Sequence, residues 1–343
     1  MSSVIVVHPD FDAHWPWAAD HLHALWKKQG PVAFIRLSPD DTRTLDQIVP
    51  DPGAVTRIIS LMAPVSPDGL RAFARLREIS IVTNPYHNTV PDELEQPLKA
   101  AGVRLCMHPS EGFWGQSVSE FGLALTLCGL RRIPQTYAGM ISSHKPWDYD
   151  PKDGIGRPGA RGQQFGDDPS FTNGTIAGKR IRIVGAGNIA SRYASFVHMI
   201  GADVAAWDPF APEPSFHRTG ARREYHLDQL MKDAEIFVPM VPLTEKTRGL
   251  ITADHIYALP KGSLVVLVTR AQICDVEAIR QRVLDDEISL AADVFDVEPL
   301  PLDDPLLGRH NVVHTPHNAG RTIDSNRSWA EMLVEQFLPV GRA

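Results

Sequence analysis

Arg180–Ile200 reads RIRIVGAGNIASRYASFVHMI, and this stretch decides the fold. The strand-like run IRIV enters Gly185-Ala186-Gly187-Asn188-Ile189-Ala190, a G-x-G-x-x-A turn that opens a helical pattern. Gly185 permits the tight turn, Gly187 lets the backbone approach a pyrophosphate, and Ala190 allows close helix-on-strand packing. The helix behind the turn offers free N–H groups and the positive end of its dipole to phosphates. A second strand-like run, VAAW, ends in Asp208, about 20 residues further on, where a carboxylate accepts from an adenosine ribose hydroxyl. A carboxylate there repels a 2′-phosphate, so the pattern predicts NAD as cofactor rather than NADP, with Arg218, Arg222 and Arg223 nearby as the opposing signal.

Downstream of this turn, IFVPMV, SLVVLVT, SLAADVF and NVVHTPH alternate with helical patterns. Upstream, the same alternation runs through the strand-like segments Ser3–Val7, Ala33–Leu37, Arg57–Leu61, Ser80–Val82 and Val103–Cys106. Helical stretches are predicted at Pro16–Lys28 and Ser66–Leu76. Strands alternating with helices argue for parallel α/β sheets. A long helix is predicted from Ser117 to Arg132, limited by Pro134. Trp147 to about Asn173 is rich in Gly, Pro, Asp and Arg and reads as a long loop. The predicted fold class is α/β: two Rossmann-like doubly wound domains with an active-site cleft between them. Residues 1–115, completed by 321–343, would bind substrate, and 116–320 would bind the cofactor.

The bulk composition excludes several classes. With 343 residues and 43% hydrophobic content the chain is long enough for two domains. Its net charge of −7 and the lack of a basic stripe argue against a nucleic-acid partner. No apolar run reaches membrane-spanning length, so no membrane partner is predicted. The first residues, MSSVIVVHPDFD, read as a strand rather than a signal peptide, which points to the cytoplasm. Cys106, Cys128 and Cys274 form no C-x-x-C pair and suit neither disulfides nor a thiolate metal site. Pro316 and the strand-to-loop context do not present His310, His314 and His317 on one helix face, and no carboxylate-rich partner motif appears, so no metal is predicted.

Three polar residues stand at strand ends: Arg270 after Leu264–Thr269, Glu298 after AADVFDV, and His317 after NVVHTP. Ligands of open parallel sheets bind beyond the carboxyl ends of strands. At such an edge Arg270 can bind an anion through both nitrogens, His317 can exchange a proton, and Glu298 can hold the imidazole.

The blocks VPLTEKTRGLI, LVTRAQICDVEAI, AADVFDVEPLPLDDPLL and NVVHTPHNAGRT, with the glycine turn, resemble the signature blocks of the D-isomer-specific 2-hydroxyacid dehydrogenases. They cover most of residues 176–322, and VSEFGLALTLCGLRRI resembles that family's interdomain helix. The resemblance implies an Arg270–Glu298–His317 catalytic set and hydride transfer between NAD and C2 of a small 2-hydroxy or 2-oxo acid. It also implies cofactor contacts from Gly185, Gly187, Asn188, Ile189, Ala190, Asp208, Val241, Pro242, Thr247, Val268 and Asp293, the last near the nicotinamide carboxamide. A homodimer built on the long helix is implied as well.

The match departs where family members carry a glycine-containing substrate loop. Here the stretch is Asn84-Pro85-Tyr86-His87-Asn88-Thr89, which makes Tyr86, His87 and Asn88 candidate substrate contacts alongside Arg270. The loop at 147–173 is also longer than the usual connection. Two other readings stay open: a dehydrogenase of the same fold for another donor such as phosphite, and an NAD-sensing corepressor-like binding protein. Glu298 argues against formate, whose dehydrogenases usually place Gln there.

Overall fold

The computed structural model describes residues 3–86, 89–110, 112–147 and 164–339. The candidate substrate residues His87 and Asn88, and 148–163 of the long loop, lie outside the described residues. The chain divides into two compact units, residues 1–114 with 321–343, and residues 115–320.

The first unit carries five parallel strands: β1 (Ser3–Val7), β2 (Val32–Arg36), β3 (Arg57–Leu61), β4 (Glu78–Val82) and β5 (Arg104–Leu105), in the order β2-β1-β3-β4-β5. The runs are nearly all apolar because both sheet faces are covered. Val4 and Val6 enter one core with Ile58 and Ile79. Ile5 and Val7 enter the other with Ile59, Trp26 and Trp329. Helices Ala18–Lys27 and Ile323–Val334 pack together over that second face, so the C-terminal segment completes the unit. Ser66–Leu76 forms one short 3₁₀ turn, Gly69–Ala72, in place of the predicted helix. Its buried residues Leu70, Phe73 and Leu76 recur every third position, the period of a 3₁₀ turn, and Pro67 and Gly69 oppose an α-helix.

The second unit carries seven parallel strands: β6 (Arg180–Val184), β7 (Asp203–Trp207), β8 (Arg222–Glu224), β9 (Ile236–Pro239), β10 (Leu264–Leu267), β11 (Ser289–Ala292) and β12 (Val312–His314). Their order is β12-β11-β10-β9-β6-β7-β8. The connection reverses between β6 and β9, the topological switch point of a dinucleotide-binding sheet. Strand β8 was not anticipated: Arg-Arg-Glu is charged, as an edge strand tolerates. The long helix runs Gly115–Arg131 and packs on the helix behind the glycine turn through Gly122, where an added Cβ would lie 3.4 Å from Tyr193. Arg132 takes a left-handed conformation (φ 51°) and stops it. Pro134 then sits in the first turn of a further helix, Ile133–Ser142, that the sequence reading did not include.

Candidate active site

Gly185 ends β6 at the switch point with φ 116°, a conformation that favours glycine. A Cβ there would stand 3.2 Å from the Met240 carbonyl and from Val241, so the turn needs glycine for space as well. Gly187 caps helix Asn188–Met199 without any side-chain hydrogen bond, and a Cβ built on it meets nothing within 4 Å. Open space thus faces uncapped N–H groups, which is the arrangement that receives an anionic diphosphate. Asn188 is exposed, Ile189 is half-buried, and Ala190 is buried against the sheet.

Asp208 ends the next strand, and its carboxylate clamps this turn. Oδ2 accepts from the Ala186 N–H at 2.8 Å, while Oδ1 accepts from the Phe210 and Ala211 N–H groups at 2.9 and 3.1 Å. Thr247 closes the loop after β9: its hydroxyl donates to the Pro242 carbonyl at 2.5 Å and accepts from the Thr244 N–H at 2.8 Å. Val241 and Val268 are buried, and Val268 faces Gly122 of the long helix. The residues present therefore fit a dinucleotide.

Arg270, Glu298 and His317 line one cavity of about 420 Å³ together with Leu243, Arg248 and Phe295. His317 Nδ1 lies 2.6 Å from Glu298 Oε2, and Glu298 Oε1 accepts from the Phe295 N–H at 2.8 Å. The carboxylate thus bridges backbone and imidazole, and a proton on Nδ1 leaves Nε2 as the exchanging atom. His317 itself takes φ 55°. Arg270 donates to the Thr269 carbonyl at 2.7 Å and forms no ion pair among the described residues. Asp293 is fully buried beneath this group. It accepts from the Thr315 hydroxyl at 2.6 Å and from the N–H groups of Asn318 and Ala319 at 3.1 and 2.9 Å. The histidine loop is pinned to the end of β11 by that one carboxylate. Arg248, a second cation on the cavity wall, escaped the sequence reading because no motif marks it. His310 bonds to Asp286 at 3.0 Å, away from His317. Tyr86 belongs to the first unit, where its hydroxyl receives a hydrogen bond from Arg321.

A dinucleotide-type sheet with an Arg, a Glu–His pair and a glycine turn at its carboxyl edge defines a nucleotide-dependent oxidoreductase class. Residues 157–319 match the NAD binding domain of the D-isomer specific 2-hydroxyacid dehydrogenases, so this part of the chain is similar to that domain, with NAD as its cofactor. It is 29% identical over 247 residues to the hydroxypyruvate reductase of Thermotoga maritima, covering 71% of each chain. It is 28% identical over 227 residues to the D-3-phosphoglycerate dehydrogenase of Methanocaldococcus jannaschii, covering 66% of this chain and only 39% of that longer one. A phosphoglycerate oxidoreductase from Rhizobium etli shares the fold, with a TM-score of 0.73 at 21% identity over 98% of this chain and 93% of that one.

Proposed function

We propose that the protein is an NAD-dependent oxidoreductase acting at C2 of a small 2-hydroxy or 2-oxo acid, of the glyoxylate or hydroxypyruvate type. The observation that carries this reading is the 2.6 Å Glu298–His317 contact in one cavity with Arg270, a cation without an acidic partner among the described residues. Bound NAD supplies or accepts the hydride. Arg270 holds the acid's carboxylate through its planar fork and draws electron density from the C2 carbonyl. His317 gives a proton from Nε2 to the C2 oxygen in reduction and takes it back in oxidation. Glu298 fixes the ring so that Nε2 faces the substrate. In this division of labour the first unit serves the substrate and the second the cofactor, in the cytoplasm.

The homodimer reading gains support from helix Ile133–Ser142. None of its residues is buried, and Ile133, Tyr137, Met140 and Ile141 form an exposed apolar stripe at helical spacing. The test of the activity is loss of reduced nicotinamide absorbance with glyoxylate, hydroxypyruvate, pyruvate and larger 2-oxo acids. Turnover with one class is expected. Firm NADH binding with no turnover of any acid would overturn the proposal.

A further inference from the structure

The first turn of the long helix carries two serines that bond outside the helix, both within the second unit. Ser119 is fully buried, and its hydroxyl shares one hydrogen between the Gly115 carbonyl and, at 3.0 Å, the Ile189 carbonyl of the glycine turn. Gly115 itself lies against that turn, since a Cβ built on it would stand 3.0 Å from the side chains of Asn188 and Arg192. Ser117 is half-buried and stands two positions before Ser119, so it points from another face of the helix. Its hydroxyl donates to the Ala319 carbonyl at 2.5 Å, across 202 residues of sequence. Ala319 follows His317 by two residues.

The loop that carries His317 is thus held from two sides. The end of β11 takes its N–H groups: Thr315 donates to the Ala292 carbonyl at 3.0 Å, and Asn318 and Ala319 donate to Asp293. The long helix takes the Ala319 carbonyl through Ser117. Between these anchors His317 adopts φ 55°, a conformation that side chains rarely take and that persists where the surroundings fix it. Glu298 orients the ring through Nδ1, but the backbone from which the ring hangs is set by the anchors. Proton transfer needs the reacting atoms at hydrogen-bond distance, so a small drift of that backbone lowers the rate steeply.

We propose that Ser117 is a positioning residue for His317: its hydroxyl ties the histidine loop to the long helix and so fixes where Nε2 meets the C2 oxygen of the substrate. This rests on the 2-oxo acid reading above and deepens it. Ser119 in the same turn holds the glycine turn, so one helical turn sets the cofactor and the proton donor in a common frame.

The experiment compares the wild type with Ser117→Ala and Ser117→Thr, using NADH and whichever of glyoxylate, hydroxypyruvate and pyruvate the wild type reduces fastest. Alanine suits a helix, so the fold is kept. Ser117→Ala should lower kcat about tenfold, the effect of losing one neutral hydrogen bond in the transition state. The KM of the acid and the NADH dissociation constant should stay within about twofold, because Arg270 and the glycine turn keep their own contacts. The solvent deuterium isotope effect on kcat should rise, since proton transfer from His317 becomes the slower step. Ser117→Thr retains the hydroxyl and should recover most of the loss. Wild-type kcat and isotope effect in Ser117→Ala overturn the proposal, and so does a threonine variant as slow as the alanine one, which would assign the loss to something other than the hydroxyl. If the wild type reduces no acid, the catalytic reading falls on its own, and amide hydrogen exchange still decides the tether. Exchange at Asn318 and Ala319 about fivefold faster in Ser117→Ala supports it, and equal rates in both proteins overturn it.

Discussion

Replacing Asp293 by Asn keeps its shape and removes its charge, so it isolates what the buried carboxylate does. Both oxygens of Asp293 accept, from Thr315 Oγ1 and the Asn318 N–H on one side and from the Ala319 N–H on the other. An amide has one oxygen and one NH₂ group. Whichever way it turns, its NH₂ points at a backbone N–H that then has no acceptor. An orphaned buried donor costs about 1–3 kcal/mol, and two charge-assisted bonds becoming neutral cost about 1 kcal/mol each. Relief of the buried charge offsets part of this, leaving about 2–4 kcal/mol. For a unit of this size that is roughly 10 °C in Tm, read by circular dichroism. The loop also carries His317 at φ 55°, so loosening it should lower kcat about 10- to 100-fold. NADH affinity should stay within about threefold if the carboxylate acts only on the loop. An Asp293→Asn protein with wild-type Tm and kcat would refute this reasoning. A large loss of NADH affinity at wild-type Tm would instead place the carboxylate on the nicotinamide carboxamide.

His317→Ala should lower turnover about a thousandfold and leave the NADH dissociation constant nearly unchanged, since the imidazole exchanges the proton and does not hold the cofactor; stopped-flow kinetics and fluorescence titration measure the two. Asp208→Ala should weaken NADH binding and narrow the preference over NADPH, and it should also lower Tm because Ala186, Phe210 and Ala211 lose their acceptor; an unchanged cofactor ratio would remove Asp208 from ribose recognition. Ile141→Lys on the exposed stripe should shift the protein toward monomer in light scattering at micromolar concentration, and an unaltered mass would detach that helix from assembly. Burial holds the His108 imidazole below its ordinary 6.5, with its bond to the Trp329 carbonyl opposing. The unfolded chain therefore takes up the proton first as pH falls past 6.5, and stability contributed by neutral His108 is present above that value and lost below it. Urea midpoints should fall more between pH 7.5 and 5.5 for the wild type than for His108→Gln; parallel falls would mean that the folded protein accepts the proton.

Strands with apolar side chains on both faces were legible in the sequence because burial on two sides leaves little room for polar residues. The edge strand Arg222–Glu224 was not, since one unpaired edge tolerates charge and erases the signal. Helix Ile133–Ser142 was hidden for a different reason: Pro134 stops one helix and suits the first turn of another, and only the left-handed Arg132 between them shows which applies. At the site, the glycine turn was readable because Gly185 answers a local steric demand and Gly187 leaves open space before the helix. That Arg270, Glu298 and His317 line one cavity was readable only through the rule for strand ends. Arg248 reaches the same wall from a loop whose course no local pattern encodes.

Asp208 and Asp293 are both strand-end acids that the sequence assigns to the cofactor, and in the structure both gather three donors from a neighbouring turn. Strand ends and turns present N–H groups without ladder partners, so a carboxylate there first serves the backbone. Whether it can also serve a ligand depends on what remains. A carboxylate offers about four acceptor directions, so each of these residues keeps one. Asp208 is half-exposed, so in the proposed role it has surface to offer a ribose hydroxyl. Asp293 has no exposed surface. On the proposed reading, two acids that look alike in the sequence divide: cofactor choice would rest with Asp208, and Asp293 would act on catalysis through the loop that carries His317.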